Sequence, residues 1–260
     1  MIATQSDILQ TLFNRYYSAA LLYTTAMCSD ADLAKDIVAD AFVKAYIAFR
    51  RRFASPKADK AFRFALGSLL LIFETVFHIW TAVSGGYSRD MFPPFGLCAI
   101  TNLLTIIALF TDHRRIVEVT LYWGLCGAFF SIIFVDITYM PPHFRFFHYF
   151  LVHFGFALGG LYFVMTGKIR PTRKGVNRSC MILLVHSLLI YTLDIVFDKN
   201  WLYMKAPAIS GLPEFLSGPL YTILWMLLIA GMINLWYGIL KLSNQLGTRM
   251  ASRRASVRSR

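Results

Sequence analysis

The side chains able to do chemistry in this sequence lie in its most apolar stretches. Cys98 is a thiol in an apolar run, and His153 is an imidazole in another. A thiol is a weak nucleophile until it loses its proton, and a neighbouring imidazole can take that proton. A carboxylate or amide can in turn orient the imidazole. Glu74, His78 and Asn102 are candidates for that supporting role. Glu74 and His78 are four residues apart, and so are Cys98 and Asn102, so each pair shares one face of a helix. Asp136, His143 and His148 complete the set of polar residues in or beside these runs. A Cys98–His153 pair supported in this way suits acyl transfer or ester hydrolysis. The alternative for the same residues is interhelical hydrogen bonding that only holds a bundle together.

No metal or organic cofactor is expected. His143, His148 and His153 are spaced by five, which does not stack them on one helix face. There is no glycine-rich nucleotide loop.

The elements that must position these groups follow from composition. Of 260 residues, 57% are hydrophobic and 15% charged, against about 25% charged in a typical soluble domain. The charges crowd into the first 63 residues, the short connectors and the tail. Between them lie six apolar stretches, 61–84, 95–111, 116–137, 144–166, 178–197 and 217–240. Each is too long and too continuously apolar for a core strand, and about 20 apolar residues span a bilayer as a helix. The sequence therefore predicts an all-α polytopic membrane bundle of residues 57–241. A soluble two-helix segment (1–56) precedes it and a basic tail (242–260) follows.

Lys and Arg give the bundle a direction. With the N-terminus in the cytoplasm, only Arg89, Arg145, Lys199 and Lys205 fall outside. Both termini are thus expected in the cytoplasm. At 1.5 Å per residue, Glu74 then lies roughly 14 Å and Cys98 roughly 5 Å from the outer ends of their spans. The polar residues gather as a cavity in the outer half of the bilayer. The net charge of +12 reads as this positive-inside bias plus attraction of the tail to anionic lipids, so membrane lipids are the expected partners. No direct DNA binding is expected. No cleavable signal peptide is visible at the start. Cys28, Cys126 and Cys180 form no disulfide framework with Cys98.

Residues 5–27 and 30–52 read as two amphipathic helices, the second capped by Ser29 or Asp30. Leu33, Ile37, Val38, Ala41 and Phe42 make its apolar stripe. Leu12-Phe13-Asn14-Arg15-Tyr16-Tyr17 and the run Ala34-Lys35-Asp36-Ile37-Val38-Ala39-Asp40-Ala41-Phe42 resemble the start of region 2 of extracytoplasmic-function sigma factors. Lys35 and Ala39 depart from that pattern. In that family the helix pair contacts RNA polymerase. The promoter-reading helices do not follow here, so a truncated or fused remnant is expected rather than a polymerase-binding arm on residues 1–56.

A second resemblance covers about residues 59–240. The run Asp136-Ile137-Thr138-Tyr139-Met140-Pro141-Pro142-His143-Phe144-Arg145-Phe146-Phe147-His148, closing at His153, resembles the signature of YwaF-type bacterial integral membrane proteins. Tyr122-Trp123-Gly124-Leu125-Cys126-Gly127, Gly167-Lys168-Ile169-Arg170-Pro171-Thr172 and Asn200-Trp201-Leu202-Tyr203-Met204 are similar to its other motifs. That family is similar to eukaryotic transmembrane protein 164, regarded as a phospholipid acyltransferase that uses a cysteine and a histidine. The resemblance implies a bacterial plasma-membrane protein with Cys98 as nucleophile and His153 as base. Three departures stand out. Met140-Pro141 replaces the usual order before the Pro142-His143 pair. Gly96 occupies the place of a family histidine two residues before the cysteine. The sigma-like segment stands where the family has one more span. Two further readings are a non-catalytic transporter or scaffold, and a membrane-tethered sigma-like regulator.

Overall fold

The computed structural model describes residues 52–84, 95–133, 135, 137, 139–205 and 218–258, together with Thr24, Leu33 and Ile37; for 218, 219 and 243–258 it describes the backbone alone. The described residues form six helices: α1 Pro56–Val83, α2 Leu97–Thr111, α3 Arg114–Ile133, α4 Phe144–Met165, α5 Arg173–Val196 and α6 Gly218–Arg258. The all-helical membrane bundle expected from the sequence is present. Five helices, with α6 contributing Leu220–Leu242, are long and apolar enough to cross a membrane. The sixth, α2, has 15 residues. It rises about 22 Å at 1.5 Å per residue, short of the ~30 Å hydrocarbon core. The six expected stretches are thus five helices of spanning length and one shorter apolar helix.

Local signals set the helix ends. Pro56 opens α1 behind Ser55, where its missing N–H costs nothing and its fixed φ suits the first turn. Helix α1 thus starts five residues before the predicted span, because Asp59 and Arg63 pair within it instead of ending it (3.1 Å). Asp112 ends α2 in the left-handed region at φ 57°. His143 caps α4, its Nδ1 accepting from Arg145 N at 3.1 Å. Thr172 caps α5 by accepting from Gly175 N at 3.1 Å. Helix α6 runs 41 residues, well past the predicted end at 240.

Helix α3 is the axis. It packs against α2, α4, α5 and α6, while α1 packs on α2 and α4. Neighbours in sequence run antiparallel. Glycine lets α3 and α4 approach closely: a Cβ on Gly160 would stand 2.7 Å from Leu121 Cα. The core between them is largely aromatic, with Trp123, Tyr122, Phe156 and Leu125 almost wholly buried. The outward faces of α1, α5 and α6 stay apolar, for example Ile72 57%, Val185 62% and Leu227 63% exposed, as lipid-facing helices require.

The two ends of the bundle differ. At the end of the short connectors 112–113 and 166–172, buried charges form a network. Asp59 accepts from Tyr162 Oη at 2.9 Å and pairs with Lys168 Nζ at 2.8 Å. Lys168 also pairs with Asp112, and Arg63 donates to the Leu109 carbonyl at 2.6 Å. Glu118 accepts from Arg114 at 3.2 Å and from Arg178. At the opposite end the Asn200–Met204 motif folds back on the bundle. Asp194 accepts from Trp201 N at 2.9 Å, Asn200 from Lys205 N at 3.0 Å, and the Leu202 carbonyl from Trp225 Nε1 at 3.2 Å.

Candidate functional site

The chemistry-bearing residues lie toward that second end, on α1, α2, α3 and α4. They form two adjoining groups.

The first group surrounds Glu74. This carboxylate is 9% exposed on the face of α1 turned to α2 and α4. Asn102 Nδ2 donates to its Oε2 at 3.0 Å. His148 Nε2 lies 3.6 Å from the same oxygen, and His78 Nε2 lies 3.4 Å from Oε1. The predicted i, i+4 pair of Glu74 and His78 is thus in contact, and Asn102 and His148 join it from two other helices. Arg145 Nη1 lies 2.7 Å from His148 Nδ1. A guanidinium only donates, so Nδ1 accepts and the ring proton sits on Nε2, facing Glu74. The Arg145 guanidinium also rests over the Phe77 ring at 4.4 Å, and His148 stacks on Phe77 at 4.5 Å.

The second group holds Cys98 and His153. The half-buried Cys98 has its Sγ 3.6 Å from where a Cβ on Gly127 would stand, and the Ser131 hydroxyl donates to the Gly127 carbonyl at 2.7 Å. Phe156 packs against the same glycine, 3.4 Å from that Cβ position. His153 packs on Phe156 (ring centroids 5.3 Å) and on Tyr149 (4.4 Å). Tyr149 Oη donates to the Ser131 carbonyl at 3.0 Å. Cys98 and His153 therefore flank one cluster of Gly127, Ser131, Tyr149 and Phe156. His153 Nδ1 lies 2.6 Å from the Tyr149 carbonyl oxygen. A carbonyl only accepts, so Nδ1 carries the proton and Nε2 keeps its lone pair. The two histidines have opposite tautomers, each fixed by its neighbour.

The groups adjoin. Asn102 is one helical turn from Cys98 on α2, and His148 and His153 stand five residues apart on α4.

One predicted member stands apart. His143 caps α4 and stacks on Tyr139 (4.1 Å) beside Trp80 (5.4 Å), so it shapes the start of α4 without touching Glu74. Asp136 lies outside the described residues. Among the described residues no three metal-ligating side chains converge as a metal site.

Sequence reasoning did not single out Arg145, Ser131 and Tyr149. Arg145 sits in the recognised run, three residues before His148, and that spacing was its one signal. Ser131 and Tyr149 act partly through backbone carbonyls, which carry no residue-type signal.

Comparison with curated proteins and with solved structures found no match. A family model does match, over residues 21–240. Its start at residue 21 takes in much of the segment that resembles sigma region 2. Of that segment the structure describes only Thr24, Leu33 and Ile37; Leu33 and Ile37, expected on an apolar stripe, are 50% and 42% exposed. The match covers most of the chain: this multi-pass membrane protein belongs to the TMEM164 family.

Proposed function

We propose that the protein is a lipid-active, thiol-dependent acyltransferase or hydrolase working in the outer half of a bacterial plasma membrane, with both termini in the cytoplasm. The observation that carries this reading is the placement of Cys98 and His153 about one residue cluster, with the lone pair of His153 on Nε2. The orientation rests on the basic residues. Arg63, Arg114, Lys168, Arg173 and Arg178 all gather at the end opposite the site, as positive-inside bias requires of a cytoplasmic end.

The chemistry balances on these two side chains. His153 Nε2 takes the proton of Cys98. The thiolate attacks the ester carbonyl of a lipid acyl chain and forms a carbon–sulfur bond. The tetrahedral adduct collapses, the alkoxide leaves, and it takes the proton from the imidazolium. The resulting thioester is then attacked by a lysophospholipid hydroxyl or by water. His153 accepts that nucleophile's proton, and Cys98 leaves as a thiolate that is reprotonated by the imidazolium. The basic tail supplies contact with anionic headgroups.

The test is acyl turnover by the purified protein in vesicles of phosphatidylethanolamine and phosphatidylglycerol carrying a labelled acyl chain, with a lysophospholipid acceptor present. Turnover that Cys98→Ala and His153→Ala each abolish is expected. Turnover unchanged in Cys98→Ala would exclude the thiol mechanism.

A further inference from the structure

We propose that α3 and α5 hold an anionic lipid at the end of the bundle opposite Cys98. Its phosphate sits at their N-termini on Arg114 and Arg178, and an acyl chain lies in the groove that continues along α5. The leaflet is the one that the basic residues mark as cytoplasmic. The site does not depend on the Cys98–His153 reading.

Helices α3 and α5 pack side by side and run parallel, so their N-termini meet at one end. A helix N-terminus carries partial positive charge and is stabilised by anions. Both helices open the opposite way. Helix α3 starts on Arg114-Arg115 and α5 on Arg173-Lys174, and neither has an acidic residue in its first turn. Two dipoles and these cations therefore share one place.

The anion that the chain supplies there is Glu118, which is 5% exposed. Its Oε1 accepts from Arg114 Nε at 3.2 Å and its Oε2 from Arg178 Nη1. Gly175 lets this carboxylate lie against the first turn of α5, since a Cβ there would stand 3.3 Å from Glu118 Cδ. One carboxylate cannot fill the donors of two guanidinium forks, nor offset both arginines and both helix ends. The other described carboxylates at this end, Asp59 and Asp112, are held by Arg63 and Lys168. Glu118 thus orients the two arginines and leaves the place positive. Their side chains stay open to the surface, 65% and 37% exposed.

Two further observations point to a lipid. Tyr122, four residues after Glu118 and on the same face of α3, has a buried hydroxyl without a partner among the described residues. A helical tyrosine leans toward its own N-terminus, here toward Glu118. Such a hydroxyl calls for a partner from outside the chain. Along α5, an apolar groove of about 320 Å³ is lined by Met181, Ile182, Val185 and His186. Met181, Ile182 and Val185 follow Arg178 by three, four and seven residues, so the groove continues the face of that arginine. A basic end above an apolar groove matches a phosphate joined to an acyl chain. Glu118 lies four residues into α3, about 6 Å at 1.5 Å per residue, which sets the arginines at headgroup height.

The experiment uses the full-length protein in detergent. Binding of dioleoylphosphatidylglycerol is titrated by native mass spectrometry, and thermal unfolding is followed alongside. Dioleoylphosphatidylcholine and inorganic phosphate are the comparison ligands. Phosphatidylglycerol is expected to bind and raise the thermal midpoint, and the other two to do neither at the same concentration. Arg114→Gln/Arg178→Gln weakens this binding about tenfold or more. Lys57→Gln/Lys60→Gln, which takes two charges from the start of α1 at the same end, leaves it within about twofold. Should the arginine variant unfold because Glu118 is left unpaired, adding Glu118→Gln removes the whole cluster and is expected to show the same loss. Wild-type affinity in the arginine variants would overturn the proposal. So would an equal loss in the lysine control, which marks diffuse attraction to charge. Phosphatidylcholine binding as tightly as phosphatidylglycerol, or inorganic phosphate protecting as well, would overturn the assignment to an anionic lipid.

Discussion

The Nδ1 of His153 lies 2.6 Å from the carbonyl oxygen of Tyr149, one turn earlier on α4. This contact fixes the proton on Nδ1 and turns the other nitrogen into an acceptor. His148, five residues earlier on the same helix, is fixed the other way by Arg145. One helix thus presents one imidazole as a base and one as a donor.

The base assignment predicts a rate. Replacing His153 with Ala or Gln removes the acceptor and slows iodoacetamide labelling of Cys98. Acyl turnover falls by about 10²-fold or more, the usual contribution of a general base. Labelling kinetics by mass spectrometry and turnover by product release check both.

Tyr149 ties α4 to α3 beside the site through its hydroxyl, which donates to the Ser131 carbonyl. Tyr149→Phe leaves a buried carbonyl without its side-chain donor. The expected loss is about 1–3 kcal/mol of stability, read as a lower thermal midpoint. Turnover falls as well, because Ser131 is bonded to the carbonyl of Gly127, which packs beside Cys98.

Stability at the opposite end rests on Asp59, which Tyr162, Arg63 and Lys168 all engage. Asp59→Ala takes from Arg63, which is 8% exposed, its nearest carboxylate and leaves it the Leu109 carbonyl and the more distant Asp112 at 3.7 Å. Removing one partner of a buried ion pair costs about 3–5 kcal/mol. Thermal unfolding in detergent is expected to show a large drop, with Cys98 labelling in the remaining folded protein unchanged.

Glycine positions separate packing from tolerance. Gly160→Ala places a Cβ 2.7 Å from the Leu121 backbone, which cannot yield without parting α3 from α4. Such overpacking costs about 1–3 kcal/mol. Gly231→Ala meets nothing within 4 Å on α6 and is expected to leave the thermal midpoint unchanged or to raise it slightly. The pair of midpoints tests the helix packing directly.

Much of the bundle was legible in the sequence, because a lipid-facing helix has no way to hide its composition. All six apolar stretches became helices. The ends were less legible. Helix α1 begins at Pro56 because Asp59 and Arg63 satisfy one another, and a charge count reads such residues as the edge of a span. Helix α2 is short because its apolar run is short, with Gly96 at its start and Asp112 just past its end. At the site, Glu74 with His78 and Cys98 with Asn102 were visible as i, i+4 pairs. That Asn102 reaches Glu74 across helices was not visible, because spacing fixes a face but not what it meets. His143 shows the converse: its place in the recognised run suggested the cluster, and its backbone position made it a cap.

The central claim is that Cys98 carries the acyl group. Incubating the protein with an acyl-donor phospholipid, quenching in acid and measuring the mass of the Cys98 peptide tests it most directly. The account predicts a hydroxylamine-sensitive acyl mass on Cys98, absent in Cys98→Ala and strongly reduced in His153→Ala. Acyl turnover with no acyl mass on Cys98, or an equal mass on another residue in Cys98→Ala, would contradict it.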